Sequence, residues 1–236
     1  MFTDYLKRWY EALLSIFFAR RCAGCAQIAE TGLFCEECRA SIMQPLWLPA
    51  GEALDGTVML LRYSGPVRTA LQQLKFNSRR ALLELLAVEC AAAGKGLPSK
   101  FKNVLQQTDV FIVPIPTAEN RRLERGFDIP QFLFSWLKAE YVWIELLLRT
   151  RETIPQYGLG PQERKINLEN CFSIGETVTG KTIVIVDDIF TTGATMEEAA
   201  RTLKTAGAAK VYGLAMCGSI ENYGQEQIKK HLQSEI

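Results

Sequence analysis

The 236-residue sequence has almost no net charge. Lysine and arginine total 27 against 26 aspartate and glutamate residues, for a formal net charge of +1. No global basic field therefore favours a nucleic acid as partner, and such an interface would need a local cluster of basic residues. The content of 48% hydrophobic and 22% charged residues predicts a globular chain with one sizeable core and a small additional module.

Long apolar runs are also missing. The most apolar N-terminal stretch, residues 12–19, is far shorter than the ~20 residues that a membrane-spanning helix needs, and no small-residue cleavage site follows it. We therefore expect no transmembrane segment and an amphipathic helix over residues 1–21. This helix would pack on the body of the protein or contact a membrane surface through Trp9, Phe17 and Phe18.

Seven cysteines are many for a chain of this size, and most of them form a regular pattern. The segment CAGCAQIAETGLFCEEC contains two CxxC pairs, and each pair directs two sulfur atoms to one point, as a tetrahedral zinc ion requires. A redox motif would need only one pair, and disulfides do not suit a chain without a secretion signal. We therefore predict a structural Zn²⁺ ion held by Cys22, Cys25, Cys35 and Cys38. The sequence leaves open whether this module packs on the main domain or presents a hairpin to a partner.

The other cysteines, Cys90, Cys171 and Cys217, stand among apolar residues at unrelated positions. This setting is typical of buried cysteines that act as small hydrophobic residues. Together with the metal-type spacing of the first four, it indicates the reducing cytoplasm.

Strand and helix patterns alternate through the rest of the chain. Residues 57–65, 109–116, 141–149, 181–188 and 210–218 have strand patterns, and residues 66–76, 80–94 and 194–207 have helical spacing. Residues 120–140 are predicted to be a basic loop that enters a helix. This alternation predicts an α/β fold, a parallel sheet flanked by helices, with ligands at the carboxyl ends of the strands.

Two adjacent aspartates end one of these strands, in the segment IVIVDDIFTTGAT (residues 183–195). Gly193 lets the backbone curl so that N–H groups converge at the start of the next helix, and threonine hydroxyls add donors. This turn suits a phosphate, whereas the carboxylates of Asp187 and Asp188 suit a vicinal diol and a hydrated Mg²⁺ ion. Since successive strand residues face opposite sides, both can serve one ligand only if Asp188 already belongs to the turn. A diol with a phosphate describes a ribose 5-phosphate.

A structural interpretation of the same segment is a capping box. Thr195 and Glu198 have the spacing for it, and the aspartates would then lie in a polar turn. We expect the cap to form. A cap needs only one residue, however, and does not explain two adjacent acids after an apolar strand.

The segment VIVDDIFTTGAT resembles the phosphoribosyl pyrophosphate (PRPP) loop of type I phosphoribosyltransferases. The resemblance implies that Asp187 and Asp188 contact the ribose hydroxyls and that Mg²⁺ accompanies PRPP. It assigns the 5-phosphate to the residues of the turn, Thr191, Thr192, Gly193, Ala194 and Thr195.

The whole layout resembles the ComF family of competence proteins, also called ComFC or GntX-like, in which a four-cysteine zinc finger precedes a phosphoribosyltransferase domain. LKF (residues 74–76) resembles the family's basic LKY segment, and VPIP followed by RRLERGF resembles its pyrophosphate loop. A further family pattern matches Gln156, Leu159, Arg164, Asn167 and Phe172. The chain departs from the family's RGFNQ at Asp128 and Ile129, so ligand contacts are not assigned to these two residues.

A pyrophosphate beside two carboxylates needs cations. Mg²⁺ with Lys75, Arg121 or Arg125 could supply them and stabilise departing pyrophosphate in a transfer reaction. The alternative for each basic residue is a solvated loop face.

These patterns and the resemblance divide the chain into five segments. We expect an amphipathic helix (1–21), a zinc finger (22–38), a connector (39–56), a phosphoribosyltransferase-like domain (57–220) and a C-terminal helix or tail (221–236).

The family resemblance implies a cytoplasmic protein, in one version at the inner face of the membrane, that handles incoming single-stranded DNA during natural transformation. It would bind PRPP or a related ribose phosphate and contact proteins of the DNA-uptake machinery. The alternative is a genuine phosphoribosyltransferase with an unidentified base or amine acceptor, although no base-recognition segment can be identified. In a third hypothesis, PRPP is a metabolic signal that changes a zinc-dependent partner contact.

Overall fold

The computed structural model describes residues 21–30, 32–77, 80–151 and 161–219. The predicted N-terminal helix, apart from Arg21, and the predicted C-terminal segment lie outside these residues. Gln156 and Leu159 of the family pattern also lie outside them. Within the described residues, no helix is both long and apolar enough to cross a membrane.

A mostly parallel sheet of six strands lies at the centre of the described residues, in the order β1-β2-β8-β7-β3-β4. Its strands are β1 (Met43–Leu48), β2 (Gly56–Arg62), β3 (Val110–Pro114), β4 (Val142–Trp143), β7 (Thr182–Phe190) and β8 (Lys210–Gly218). Among these six strands, only β1 runs antiparallel to its neighbour β2. A separate antiparallel pair consists of β5 (Leu147–Arg149) and β6 (Phe172–Ile174).

Helices flank the sheet and complete the predicted α/β class. The helices are α1 (Glu36–Ile42), α2 (Gly65–Asn77), α3 (Arg80–Gly94), α4 (Ser99–Leu105), α5 (Glu119–Arg125), α6 (Ile129–Leu133), α7 (Pro161–Leu168) and α8 (Ala194–Thr205). A 3₁₀ turn at Ser135–Ala139 follows α6.

Buried side chains of β7 alternate between two cores. Val184 and Val186 belong to one core, which also contains residues of α3, whereas Ile183 and Ile185 belong to the other, which contains residues of α8. Because both faces of the strand are covered, its sequence is a continuous apolar run and does not alternate with polar residues. The first core also includes Phe34 of the cysteine-rich segment, which is fully buried.

Three segments differ from the sequence predictions. The apolar run 141–149 is divided, with β4 at the sheet edge and β5 in the separate pair, because apolarity alone does not say which sheet a strand joins. The basic segment 120–140 is helical over most of its length and is not a loop before one helix. The connector contains β1, an edge strand whose register shifts around Pro45, a position where an edge strand tolerates proline.

Candidate functional site

The carboxyl end of β3 lies beside the acid pair of β7 at one edge of the sheet. Pro114, the last residue of β3, pairs with Val186, and the N–H of Ile115 donates to the carbonyl oxygen of Val186 at 3.0 Å. Asp187 and Asp188 follow at once. The acid pair and the loop after β3 are therefore neighbours, at the edge where parallel sheets bind ligands.

The acid pair is shielded from solvent. Asp187 is only 9% exposed, and Asp188 is half-buried. One carboxylate oxygen of Asp187 accepts a hydrogen bond from the N–H of Asp188 at 2.8 Å. Ile185 packs in the second core whereas Ile189, which strict alternation would place beside it, packs against the first. β7 nevertheless continues through Phe190 in register with β8, so Asp188 lies in the strand and not in the turn as the sequence analysis required. Because the packing faces exchange after the acid pair, strict alternation alone does not decide whether both carboxylates face one ligand.

The turn after β7 depends on Gly193. Its φ of +79° is left-handed, and it is the N-cap of α8. A Cβ at this position would lie 2.7 Å from the Cζ atom of Phe190, so both the backbone conformation and the space require glycine. The turn therefore brings the chain from the strand into the helix in a very short distance.

The predicted capping box does not form. Thr195 lies inside α8, one position past its first residue, and the cap position belongs to Gly193. The carboxylate of Glu198 instead accepts a hydrogen bond from the backbone N–H of Asn170 at 2.7 Å and pairs with Arg201. Because the left-handed glycine starts the helix, the cap residue has no side chain that could take the place of an anion.

The residues assigned to the phosphate all lie together at this turn. Apart from the buried Gly193, they are half-buried: Thr191, Thr192, Ala194 and Thr195. The N–H of Ala194 lies 3.4 Å from the hydroxyl oxygen of Thr192 and donates to it. Backbone N–H groups and hydroxyls at a helix start form the kind of concave site that binds anions.

Of the predicted basic residues, Arg121 lies in α5, after the β3 loop, and is half-buried. The backbones of Lys75 and Arg125 belong to α2 and α5, but their side chains are outside the described part of the structure.

Asp128 and Ile129, which depart from the family pattern, have structural roles. One carboxylate oxygen of Asp128 accepts from the N–H of Thr117 at 3.0 Å, and the other accepts from the N–H of Gln131 at 3.3 Å. Asp128 thus caps α6 and ties that helix to the loop after β3. Ile129 is 2% exposed and belongs to the first core.

Arg149 is a further residue at this edge that the sequence analysis did not select. It ends β5, and its Nε donates to the carbonyl oxygen of Pro116, in the loop after β3, at 2.8 Å. Burial lowers the pKa of Arg149, and its charge also interacts with Asp187. The sequence signal that could have found Arg149 is the one that identified the aspartates, a charged residue directly after a run of apolar residues.

The four cysteines of the two CxxC pairs form one cluster. The sulfur atoms of Cys22, Cys25, Cys35 and Cys38 all lie within 4.8 Å of one another. The sulfur atoms of Cys25 and Cys35 are 3.5 Å apart. This arrangement could hold a metal ion, and four sulfur ligands are the set that a closed tetrahedral zinc site uses.

The cysteine pKa values also suit a cation. Burial raises the pKa of Cys22, but backbone N–H groups of Cys35, Cys25 and Gly24 and the Cys38 side chain outweigh this and lower it to about 6. A hydrogen bond with Cys25, followed by burial, raises the pKa of Cys38 to about 12. One thiolate therefore forms readily, whereas further negative charge in the cluster needs a cation to stabilise it.

The cysteine-rich module packs on the main domain. Glu89 of α3 is fully buried and accepts hydrogen bonds from the N–H groups of Leu33 and Phe34 at 2.8 and 3.3 Å. Arg39 of α1 pairs with the same carboxylate. The structure thus answers the question that the sequence left open, because the segment between the cysteine pairs is bound to α3 by a buried carboxylate.

Comparisons with known proteins found a matching domain family and several similar proteins. The phosphoribosyl transferase domain family matches residues 150–231, which include the acid pair and its turn. The DNA utilization protein YhgH of Escherichia coli O6:H1 is 32% identical over 218 residues, which cover 84% of this chain and 90% of that protein. Competence protein F of Haemophilus influenzae is 25% identical over 219 residues, covering 82% and 89%. An adenine phosphoribosyltransferase structure covers 63% of this chain and 76% of its own, at 17% identity and a TM-score of 0.35.

Proposed function

The chain belongs to the ComF family, which includes relatives named as DNA utilization and competence proteins, and from this premise we propose that it handles incoming single-stranded DNA in the cytoplasm during natural transformation. In this proposal it binds PRPP with Mg²⁺ at the carboxyl edge of the sheet. The zinc ion at the four cysteines stabilises the module that packs on α3.

The observation that carries the PRPP proposal is the sequence of functional groups at the end of β7. The buried Asp187 and the half-buried Asp188 lie near the end of β7, and five residues after Asp188 a left-handed glycine without a side chain starts the next helix. The carboxylates would accept from the ribose hydroxyls, and the N–H groups of the turn would donate to the 5-phosphate.

Mg²⁺ fits the same edge because it favours carboxylate and phosphate oxygens and keeps several water ligands. Asp187 or Asp188 would hold it through water while the pyrophosphate supplies further oxygens. It would lower the repulsion between the carboxylates and the ligand.

The cytoplasmic location is supported by the cysteines. All seven lie in the described part of the chain, and none of them forms a disulfide there. Proteins with this many cysteines and no disulfide are typical of reducing compartments.

The DNA part of the proposal is supported by the names of the relatives and by exposed arginines at the end of β2 and in the following helix. Arg62 is exposed at the end of β2 and pairs with Gly218 of β8, which in turn pairs with Phe190 at the end of β7. Two strand spacings therefore separate Arg62 from the residue before the turn, a distance of about 10 Å. Arg68 of α2 is also exposed. A single strand bound through such contacts would lose affinity steeply as salt rises.

Calorimetric titration with PRPP and Mg²⁺, repeated in the presence of single-stranded DNA, tests both ligands and their coupling. We expect PRPP to bind the wild-type protein and not to bind the Asp187→Asn, Asp188→Asn double variant. Arg62→Gln with Arg68→Gln should weaken DNA binding and leave PRPP affinity unchanged. If the acid-pair variant binds PRPP like wild type, the pocket assignment is wrong.

A transformation assay tests the biological role. In a strain lacking the protein, wild type should restore the transformation frequency and the acid-pair variant should not. Equal restoration by both would show that transformation does not require the pocket.

A second candidate function is phosphoribosyl transfer to a base or amine. It is favoured by the β5–β6 pair, which lies outside the main sheet and contacts the loop after β3 through the hydrogen bond from Arg149 to Pro116, because an acceptor would need a protein surface beside the ribose. Release of pyrophosphate from PRPP in the presence of one of a panel of nucleobases or amines would support transfer. If none of these compounds causes release of pyrophosphate, the protein binds PRPP without transferring its ribose phosphate.

A further inference from the structure

Arg149 is held in place by two different parts of the fold. Its Nε donates to the carbonyl oxygen of Pro116 at 2.8 Å. Its guanidinium carbon lies 5.1 Å from the centroid of the Phe172 ring, on the strand that pairs with β5. A guanidinium that rests on an aromatic face and donates to a backbone carbonyl keeps a defined orientation.

Charged groups of the acid edge act on Arg149. Burial lowers its pKa most, the charges of Cys171, Asp187 and Asp128 raise it, and the charge of Arg121 lowers it. An arginine remains charged at neutral pH despite its burial, so a half-buried positive charge persists at the loop after β3, which neighbours the acid pair. A polyanion that approaches the acid pair therefore meets a fixed cation.

Arg149 lies in a different part of the site from the residues assigned to the 5-phosphate. That phosphate is assigned to the turn after Asp188, at the start of α8. Arg149 is instead attached to Pro116, in the loop that follows the neighbouring strand β3. The two proposed anion sites thus belong to the segments that follow two adjacent strands, β3 and β7.

We propose that Arg149 binds the pyrophosphate group of PRPP, and this assignment rests on the proposed function. A planar guanidinium with several N–H donors matches the oxygens of a diphosphate better than a point charge does. The specific consequence is that Arg149 contributes to the affinity for diphosphate ligands and not to the affinity for a sugar that carries only a 5-phosphate.

The test is a set of calorimetric titrations with inorganic pyrophosphate, PRPP and ribose 5-phosphate, each with Mg²⁺. In Arg149→Gln, we expect affinity for pyrophosphate and PRPP to fall by about 10- to 100-fold, the range of a charge-assisted hydrogen bond. Affinity for ribose 5-phosphate should change less than about twofold. Arg149→Lys, which keeps the charge but loses the planar fork, should lie between wild type and Arg149→Gln.

Arg151 supplies a matched control. It is an exposed arginine two positions further on, and its Nη2 donates to the backbone oxygens of Asn167 and Glu169 at 3.1 and 2.9 Å. Arg151→Gln removes the same charge from the same chain segment and should leave all three affinities unchanged. Equal losses in the Arg149 and Arg151 variants would mean that general charge is responsible, and would overturn the assignment.

The other outcomes of these titrations distinguish failure of the Arg149 assignment from failure of the proposed function. The ratio of pyrophosphate to ribose 5-phosphate affinity, measured on one sample, does not depend on the folded fraction, so a destabilised variant still gives an answer. An unchanged ratio in both Arg149 variants would overturn the assignment. Wild type that binds pyrophosphate but not PRPP, with loss in Arg149→Gln, would contradict the proposed function and support Arg149 as a diphosphate ligand. Wild type that binds neither would contradict both.

Discussion

The carboxylate of Glu89 and the guanidinium of Arg39 form a two-point ion pair inside the protein. Nε of Arg39 lies 2.8 Å from Oε2 of Glu89, and Nη2 lies 2.9 Å from Oε1. Glu89 is completely buried, and its hydrogen bond raises the pKa of Arg39. Since the two residues are fifty positions apart, the pair connects the cysteine-rich module to α3 across a long stretch of chain.

Glu89→Ala should lower the free energy of unfolding by about 3–5 kcal/mol, because Arg39 and two backbone N–H groups lose a buried acceptor. Urea denaturation measures the change. Glu84→Ala in the same helix is the control, since Glu84 pairs with Arg80 on the surface and should cost at most about 0.5 kcal/mol. A similar cost for both variants would show that burial of Glu89 does not matter.

Removing the metal should destabilise the module and also loosen α3. We expect about one zinc ion per chain by elemental analysis, as a four-sulfur site predicts. Chelation or Cys35→Ser should expose residues 22–38 to proteases, because so small a module depends on its metal for order. Phe34 of the module packs in the same core as Leu83 of α3. Because disorder in the module would remove Phe34 from this core, α3 should begin to melt at a lower temperature.

Cys171→Ser is the control for metal loss. Cys171 is buried in the second core, away from the sulfur cluster, and this variant should keep its zinc. Full zinc content in Cys35→Ser, or unchanged proteolysis after chelation, would contradict the predicted site.

Gly193→Ala should abolish PRPP binding and cost about 1–3 kcal/mol of stability, because alanine at this left-handed position also collides with Phe190. Gly180→Ala separates the two effects. Gly180 has a similar φ of +74°, but among the described residues nothing lies within 4 Å of where a Cβ would stand, so its substitution should cost about 1 kcal/mol and leave binding intact. Calorimetry and thermal melting provide the readouts, and normal PRPP affinity in Gly193→Ala would count against the turn as the phosphate site.

Asp55 should make the free energy of unfolding depend on pH. Burial alone would raise the pKa of Asp55, but hydrogen bonds from Lys204, Lys210 and the N–H of Val211 hold it below its ordinary value. A depressed carboxyl pKa stabilises the fold above the unfolded value of about 4, and this contribution is lost as the pH falls through the folded value.

Asp55→Asn should therefore be less stable than wild type at pH 7, and the difference should shrink below about pH 4. Urea denaturation at several pH values measures it. Asp109→Asn removes an exposed partner of Lys181 and should change stability by less than about 1 kcal/mol at neutral pH. A difference for Asp55→Asn that stays constant down to about pH 3 would contradict the ion-pair explanation.

Much of the site could be predicted because its features are local in the chain. The strand before Asp187, the turn at Gly193 and the spacing of the cysteines are each contained in a short segment. The helix cap was predicted wrongly, because the spacing of Thr195 and Glu198 does not reveal that a left-handed glycine starts the helix. Whether Glu198 reaches back to the helix start or across to Asn170 depends on what packs beside it.

The sequence by itself determined the α/β class, the four-cysteine cluster and the acid pair with its turn, because periodicity and short-range spacing are properties of the chain alone. Only the tertiary structure decided that Glu89 holds the cysteine-rich module and that Asp128 ties α6 to the β3 loop. It also placed Arg149 against Pro116, thirty-three positions away. Such partners come together through burial and strand order, which depend on the packing of the whole chain and not on any one segment.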